Sequence, residues 1–475
     1  ETVDDISLSM FNGCENLKDV IVAEANAAYK SVNGVLYTKD GSTIVYCAGK
    51  NTTLKDASTG AFVLPSEVTM IGEHAFAGHK GLTKIEIAAQ ITEIGANAFE
   101  NCSNLEELTF AARNTDLVIG NYAFANCSGI SGETKLILPA NVVSVGDYAF
   151  ANAGMKEIEI GADVKTIGDY AFSGSNLTAI TVPATVESLG DYAFANCASL
   201  ASATLELQTE KLIGTFSGCA LLGNVSVQEG LLTIGEGAFQ GCDALSGAVI
   251  GNGVTTIGAK AFSEDKNLVG VTFGSSLLTI GESAFYACAA IESVTVPDSV
   301  TAIGDSAFYG CEALSSVSLG EGLKSIGRYA FQKTGVYTAE NKIYYVDDWV
   351  VDSEDDIVTP EIKDGIVGIA DYAFYKRESL TGFTLPVSVK IVGARAFSNC
   401  PVLTGFNLGS VEEIGDYSFS SCKTLGRAKV NLGDKLKKIG NYAFYNCSGY
   451  GDTAYAKVTI PSSVETIGTY AFRGA

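Results

Sequence analysis

Apolar and polar positions repeat along the chain with a period near 23 residues. Each unit reads Ile-Gly-x-x-Ala-Phe-x-x-Cys-x-x-Leu-x-x-Val-x-Val-Pro-x-x-Val-x-x, clearest from Ile280 to Ala302. Val294 and Val296 alternate with polar Thr295 in a β-branched run, the period-two signature of a short strand. Pro297 closes that strand because proline has no N–H to give a ladder; Pro65, Pro139, Pro183, Pro386 and Pro461 recur at the same place. Val300 to Ile303 predicts a second extended piece, and Gly304 then leads into Ala307 and Phe308, which read as one helical turn. The predicted unit is strand, turn, short strand, helical turn.

Aligned on the Ala-Phe step, a spine runs from Phe76 to Phe331 at spacings of 22 to 26 residues, jumps 43 to Phe374, and continues to Phe472. Phe11, 65 residues before Phe76, reads as an earlier member. One such unit cannot bury its own apolar side chains, so stability has to come from stacking equivalent positions of neighbouring units. At about 4.8 Å per parallel strand, about 18 coils would extend on the order of 85 Å.

The unit Ile303-Gly-Asp-Ser-Ala-Phe308-Tyr-Gly-Cys311-Glu-Ala-Leu314-Ser-Ser-Val-Ser-Leu319 resembles the Treponema pallidum-type, or BspA-like, leucine-rich repeat, and the similarity covers nearly the whole chain. The resemblance implies an α/β repeat fold: a single curved leucine-rich-repeat solenoid over residues 1–475. Its parallel β-sheet would form the concave face, with short strands and single helical turns on the other sides. It also implies a protein of the bacterial surface, in a family associated with adhesion to host matrix proteins or to other bacteria.

Composition narrows the function classes. A length of 475 residues would ordinarily mean several domains, a prior that a repeat array overrides. With 47% hydrophobic and 18% charged residues the chain folds, and no run of 18 apolar residues predicts a membrane span. A net charge of −23 opposes nucleic-acid binding. His74 and His79 are the only histidines, too few for imidazole catalysis or a multi-histidine metal site. The start at Glu1 reads as a mature or trimmed product whose signal peptide is not seen, and the stop just after Phe472 as a truncation or an end-to-end contact.

Three columns carry candidate chemistry. Eleven of the 12 Cys, from Cys14 to Cys447, lie three residues after a spine Phe, where other units place Ala153, Ser175 or Thr334. Side chains in one column point in parallel rather than at each other, so these read as buried free thiols. Cys47, outside the column, is a candidate reactive or intermolecular thiol, with an inert thiol as the other reading. Nine Tyr, among them Tyr122, Tyr148, Tyr170, Tyr192, Tyr329 and Tyr372, sit two residues before the Phe. They form either a ridge that stacks on sugars or peptides, or rings lying over the neighbouring coil with hydroxyls in water. Nine acids, including Asp147, Asp169, Asp191, Asp305, Asp371 and Asp416, stand three residues before the Phe and read as caps of the helical turn. No Asp-x-Asp-x-Asp-Gly loop supports a calcium site.

The period breaks twice, and both extra segments read as hairpins, near residues 29–50 and 337–360. Asp40-Gly41 is a turn signal in the first. The second holds the densest aromatic cluster, Tyr344, Tyr345 and Trp349, which either anchors a partner or packs the hairpin on the solenoid. An acidic stretch with Glu354, Asp355, Asp356 and Glu361 follows. The strand face is small and polar, with Ser315, Ser316, Ser318, Thr272, Thr384 and Asn407, a few charges such as Glu106, Glu107, Lys156, Glu157 and Glu159, and later Arg427 and Lys429. Such a face suits broad, repeated contact.

No catalytic, cofactor-binding or metal-binding residue is assigned. The expected function is a non-enzymatic bacterial surface or secreted binding protein, adhesin-like and extracellular. By family analogy its partners would be host matrix proteins, glycans or other bacterial surface components. The alternative is a structural spacer or self-associating scaffold. Glycoside hydrolysis would need two carboxyl groups about 5 to 9.5 Å apart in a cleft.

Overall fold

The computed structural model describes residues 10, 11, 14, 16–131, 135–207, 209–227, 230–425, 430–447 and 458–475. Arg427 and Lys429 lie outside the described residues. The fold is a β-solenoid of about 17 turns, and the chain divides into two units, Glu1–Leu245 and Ser246–Ala475.

In the first unit, Met70–Ile71, Glu93–Ile94, Leu117–Ile119, Val142–Val145, Thr166–Ile167 and Ser188–Leu189 pair in parallel in chain order. Their register sets Ile71, Ile94, Ile119, Val145, Ile167 and Leu189 side by side. The glycine after each strand lets the coils close up: a Cβ on Gly146 would stand 2.6 Å from the carbonyl carbon of Gly120. On another wall Ala179–Val182, Ser202–Leu205 and Asn224–Val227 pair in parallel. Ile180 and Val182 point inward while Ala179 and Thr181 face solvent, the alternation the sequence predicts.

The first hairpin segment is a three-stranded antiparallel meander, Tyr29–Val32, Val35–Thr38 and Thr43–Tyr46. Its last strand joins the parallel wall, with Ile44 opposite Ile71. The Asp40-Gly41 turn links the last two strands; the Asp40 carboxylate accepts from Thr38 at 2.7 Å and from the Ser42 N–H at 3.0 Å, and Gly41 takes φ 87°. Phe11 does not open the spine: it stacks on Tyr46, ring centroids 4.4 Å apart.

In the second unit Thr256–Ile257, Thr279–Ile280, Ala302–Ile303 and Ser325–Ile326 form one parallel run. The second meander, Thr338–Glu340, Ile343–Val346 and Trp349–Ser353, follows. Trp349–Ser353 then pairs in parallel with Gly368–Ile369, which starts a new run through Ile391–Val392, Glu413–Ile414 and Lys438–Ile439 to Thr466–Ile467.

The Phe spine is the core. From Phe76 to Phe239 consecutive rings stack at 5.0 to 5.8 Å. Phe262 to Phe331 stack at 5.2 Å, and Phe374 to Phe472 at 4.9 to 5.3 Å.

The predicted helical turns are absent, so the α/β label is replaced by an all-β solenoid: the described residues contain no α-helix. The residue two before each spine Phe, from His74 to Tyr470, is left-handed in all 17 coils from Phe76 on, and so is the residue two after it, from Gly78 to Gly474. A left-handed residue every four positions stops a right-handed helix from propagating. The segment is instead a chain of tight turns. Ala123 donates to Gly120, Ala125 to Tyr122 and Cys127 to Phe124, whereas Tyr122, Phe124 and Asn126 donate to carbonyls of the next coil at 2.7 to 2.8 Å. Half the donors close turns and half tie coils together.

Candidate interaction surface

The conserved geometry of the turns absorbs most of the polar side chains. Five of the nine column acids, Asp147, Asp169, Asp305, Asp371 and Asp416, bond to the next coil rather than capping their own turn. Asp147 accepts from the Asp169 N–H at 2.9 Å, Asp169 from Asp191 at 2.8 Å, Asp305 from Arg328 at 2.8 Å and Asp371 from Ala394 at 2.6 Å. Asn121 and Asn441 do the same work without charge, at 2.8 Å to Asp147 and Thr469. Burial pushes the Asp371 carboxyl up to about 6, helped by Asp305 and Asp416, with the Ala394 N–H pulling the other way.

The thiol column is free and, apart from Cys14, buried. Each buried S–H of the column finds a partner that residue spacing alone does not reveal, the main-chain carbonyl of the spine Phe one coil back. Cys102 donates to Phe76 at 3.0 Å, Cys288 to Phe262 at 2.9 Å and Cys422 to Phe397 at 2.9 Å. Burial raises the Cys102 and Cys311 thiols to about 12 and Cys447 to about 11. Cys47 is 1% exposed and burial raises its thiol further, which is the inert reading.

The tyrosine column divides by unit. In the first, Tyr122, Tyr148, Tyr170 and Tyr192 stack at 4.7 to 4.9 Å with planes within 6°. Gly214 lies against the outer face of Tyr192. Ring faces are therefore spent on one another, and edges and hydroxyls meet solvent beside Asp147, Asp169 and Asp191. This ladder is not a stacking platform for sugars.

In the second unit the same face carries cations, at the break between the two strand runs. The Arg328 guanidinium lies 4.3 Å from the Tyr329 ring centre, 5.1 Å from Tyr372 and 5.7 Å from Tyr375. Arg395 takes a tyrosine's place in the column, 5.8 Å from Tyr372 and 4.5 Å from Tyr417. Tyr372 thus sits between two guanidiniums. Lys376 covers Tyr375 at 5.2 Å and Lys333 covers Tyr309 at 5.0 Å. Among the described residues none of these four cations is in an ion pair, although Lys342, Arg377, Lys437 and Lys438 of the same unit are. Lys333, Lys376 and Tyr329 are exposed and the rest of the cluster is half-exposed.

The hairpin aromatics are placed mostly inside. Trp349 is 1% exposed and Tyr345 4%; the indole lies over Gly368, directly opposite it in register. Tyr344 is half-buried, stacked on Tyr337 at 4.3 Å with its hydroxyl donating to Glu354. Arg377 pins the segment to the following coil through Asp352 and Asp355, each at 2.8 Å, and Ser353. On the strand face the charges pair between coils, Lys84 with Glu107 and Lys135 with Glu159, both at 2.9 Å. An open groove of about 730 Å³ between Glu361, Asp364, Thr384 and Asn407 has no cation among the described residues of its walls.

Among similar solved structures, a leucine-rich repeat protein from Bacteroides ovatus is 26% identical, with 90% of this chain and 92% of that one covered and a TM-score of 0.42. A leucine rich cell surface protein from Faecalibacterium prausnitzii is 24% identical over 66% and 93%, TM-score 0.41. The T. pallidum leucine rich repeat protein is 20% identical over 49% and 86%, TM-score 0.30. No curated protein shows significant similarity. The model of the BspA type leucine rich repeat region matches residues 50–132, 117–246, 233–344 and 352–475. With that match over nearly the whole chain and the repeated Phe, Cys and Gly columns in place, the chain belongs to the BspA-type leucine-rich-repeat family.

Proposed function

We propose that this chain is a non-enzymatic, adhesin-like binding protein of the bacterial surface or exterior, and that it makes contact through the turn face of its second unit. One observation carries the reading: four cations that have no ion pair among the described residues lie over partly exposed tyrosines at Tyr309, Tyr329, Tyr372, Tyr375 and Tyr417. Cations held over rings and left without carboxylates are unspent recognition groups. Five of the nine column acids accept backbone N–H groups of the next coil, a structural duty that argues against a hydrolase carboxylate pair. Membership of the BspA-type family supports host matrix proteins, glycans or bacterial surface components as the partner classes.

The test is an array of glycans and matrix proteins, including fibronectin, fibrinogen and mucin, probed with wild type and an Arg328→Ala/Arg395→Ala variant. Binding that the variant loses is expected. Silence across the array with folded protein, or equal signals from both chains, would overturn the reading.

A further inference from the structure

We infer that the turn face around Tyr372 binds an anionic polysaccharide, its carboxylate or sulfate groups seated on Arg328 and Arg395 and its hydroxyls on the tyrosine phenols. The inference rests on the binding reading above and names the partner. A guanidinium lying over a ring uses its face for the ring and keeps its in-plane N–H donors for an oxyanion. Arg328 and Arg395 flank Tyr372 in this way, and neither side chain has a hydrogen bond or ion pair among the described residues. Two such forks beside one ring suit a chain that carries several anions, and Lys376, over the adjacent Tyr375, widens the patch.

The phenols separate a sugar from an acidic peptide. Tyr329, Tyr372 and Tyr417 bring hydroxyl groups to the same face, and the described hydrogen bonds give none of those hydroxyls a partner in the chain. The carboxylates of an acidic peptide only accept from a phenol, as Glu354 does from Tyr344, whereas the hydroxyls of a polyhydroxylated anion both accept from the phenols and donate to them. The acids nearest in the columns are occupied. Asp371 accepts from Ala394, and Asp416 takes the Asn441 N–H at 2.7 Å and its amide at 3.1 Å. The net charge of −23 does not forbid the encounter, because at physiological salt fields decay over about 8 Å. The first unit supplies the contrast: its column acids are bonded in the same way, but its tyrosine rings stack on one another and, among the described residues, no cation lies over them to seat an anion.

Heparin, hyaluronan, neutral dextran and poly-glutamate of matched length, titrated into the full chain at 150 mM salt, test this inference. Heparin or hyaluronan should bind at least about tenfold tighter than poly-glutamate, and dextran not at all. Arg328→Ala/Arg395→Ala should weaken the polysaccharide by about a hundredfold, roughly tenfold per charge-assisted contact, and should flatten its salt dependence. Tyr372→Phe, which keeps the ring between the guanidiniums, should weaken it about threefold to tenfold. Lys165→Ala in the first unit should change nothing. Unaltered Trp349 emission and thermal melting show that each variant is folded, and Arg395→Lys, with charge kept and the fork lost, should fall between wild type and Ala. Equal or tighter binding of poly-glutamate overturns the polysaccharide in favour of an acidic protein. So does full affinity in the double variant. Absence of polysaccharide binding, with an array ligand still lost in the double variant, removes this inference and leaves the binding reading intact.

Discussion

Replacing Tyr170 by Gly and by Ala distinguishes the left-handed turn from the helical turn that the repeat pattern suggests. Tyr170 has φ 54° and is stacked on both faces, 4.7 Å from Tyr148 and 4.9 Å from Tyr192. Either substitution removes two aromatic contacts, about 0.5–1.5 kcal/mol each. They differ in the backbone. Ala at positive φ retains a penalty of about 1–2 kcal/mol that Gly does not have, while Gly loses about 0.4–1 kcal/mol through its freer unfolded chain. The difference leaves Tyr170→Gly more stable than Tyr170→Ala by about 0.5–1 kcal/mol. On a helical turn the order reverses, with Ala ahead by about 1 kcal/mol. Because a long repeat array need not unfold in two states, the readout is local. Hydrogen exchange of the Phe150 and Phe172 amides, which donate to Ala171 and Ala193 of the next coils, should be faster in the Ala variant than in the Gly variant, and urea midpoints by circular dichroism should follow. An Ala variant equal to or more stable than the Gly variant refutes the left-handed assignment. Gly214 and Gly237 occupy this column naturally, at φ 55° and 61°, so Gly is compatible with the coil.

Three further outcomes follow from the packing. Gly368→Ala should destabilise the second unit by about 1–3 kcal/mol through overpacking, because its Cβ would stand 2.5 Å from three carbons of Trp349; in a Trp349→Leu background the cost should mostly vanish, and equal costs in both backgrounds would show that the indole is not the obstacle. Native protein at pH 8 should release one equivalent of thionitrobenzoate with Ellman's reagent, from exposed Cys14, since the other thiols are buried away from the reagent and burial holds Cys102, for one, near 12; rapid labelling of more thiols would contradict the buried column. The Asp371 carboxyl, raised to about 6 by burial and by Asp305 and Asp416, favours the folded state below about pH 4 and loses that contribution, roughly 1–3 kcal/mol, as pH rises through 6. Asp371→Asn should therefore flatten the change in Tm between pH 4 and 7, and an unchanged profile would remove Asp371 as its cause.

Much of the fold is legible because stacking forces like residues into register. The Ile column reappears as Ile71, Ile94 and Ile119 side by side, and the Phe column as a ring stack. The turn looks helical in the sequence because the Gly-Asp-Tyr-Ala-Phe run has the polar-to-apolar spacing of a short amphipathic helix. A counter-signal was present. Two residues after the Phe, Gly78, Gly174 and Gly218 alternate with Asn101, Asn126 and Asn152, and Gly exchanging with Asn is the composition of left-handed positions. The acids bond forward because the turn offers its outward N–H groups to the next coil, which single-unit reasoning cannot see. The cation cluster was less accessible still: Arg328 reaches Tyr372 and Tyr375 across the broken period, a contact no fixed spacing predicts.

These relations explain where recognition can arise in such a chain. A coil that bonds its turn carbonyls, thiols and column acids to its neighbours has few polar groups left to offer, and the more regular the column, the fewer remain. New chemistry therefore enters where a column changes residue type without losing its backbone role. Arg328 stands in the acid column yet still donates its N–H to Asp305; Arg395 stands in the tyrosine column and keeps φ 55°. Both substitutions leave the coil intact: the Asp371 N–H, which an acid at position 328 would take, goes to the Ile326 carbonyl at 3.0 Å instead, and Arg395 supplies the left-handed residue its column demands. The side chains are then free to carry charge, and the two lie on either side of Tyr372, beside the hairpin that interrupts the stack. The hairpin's own aromatics close the core there, with Trp349 buried against Gly368, while the cations take the outside. Evolution of a new ligand in this architecture would accordingly act on those two columns first, since there a change of charge is least costly to the fold.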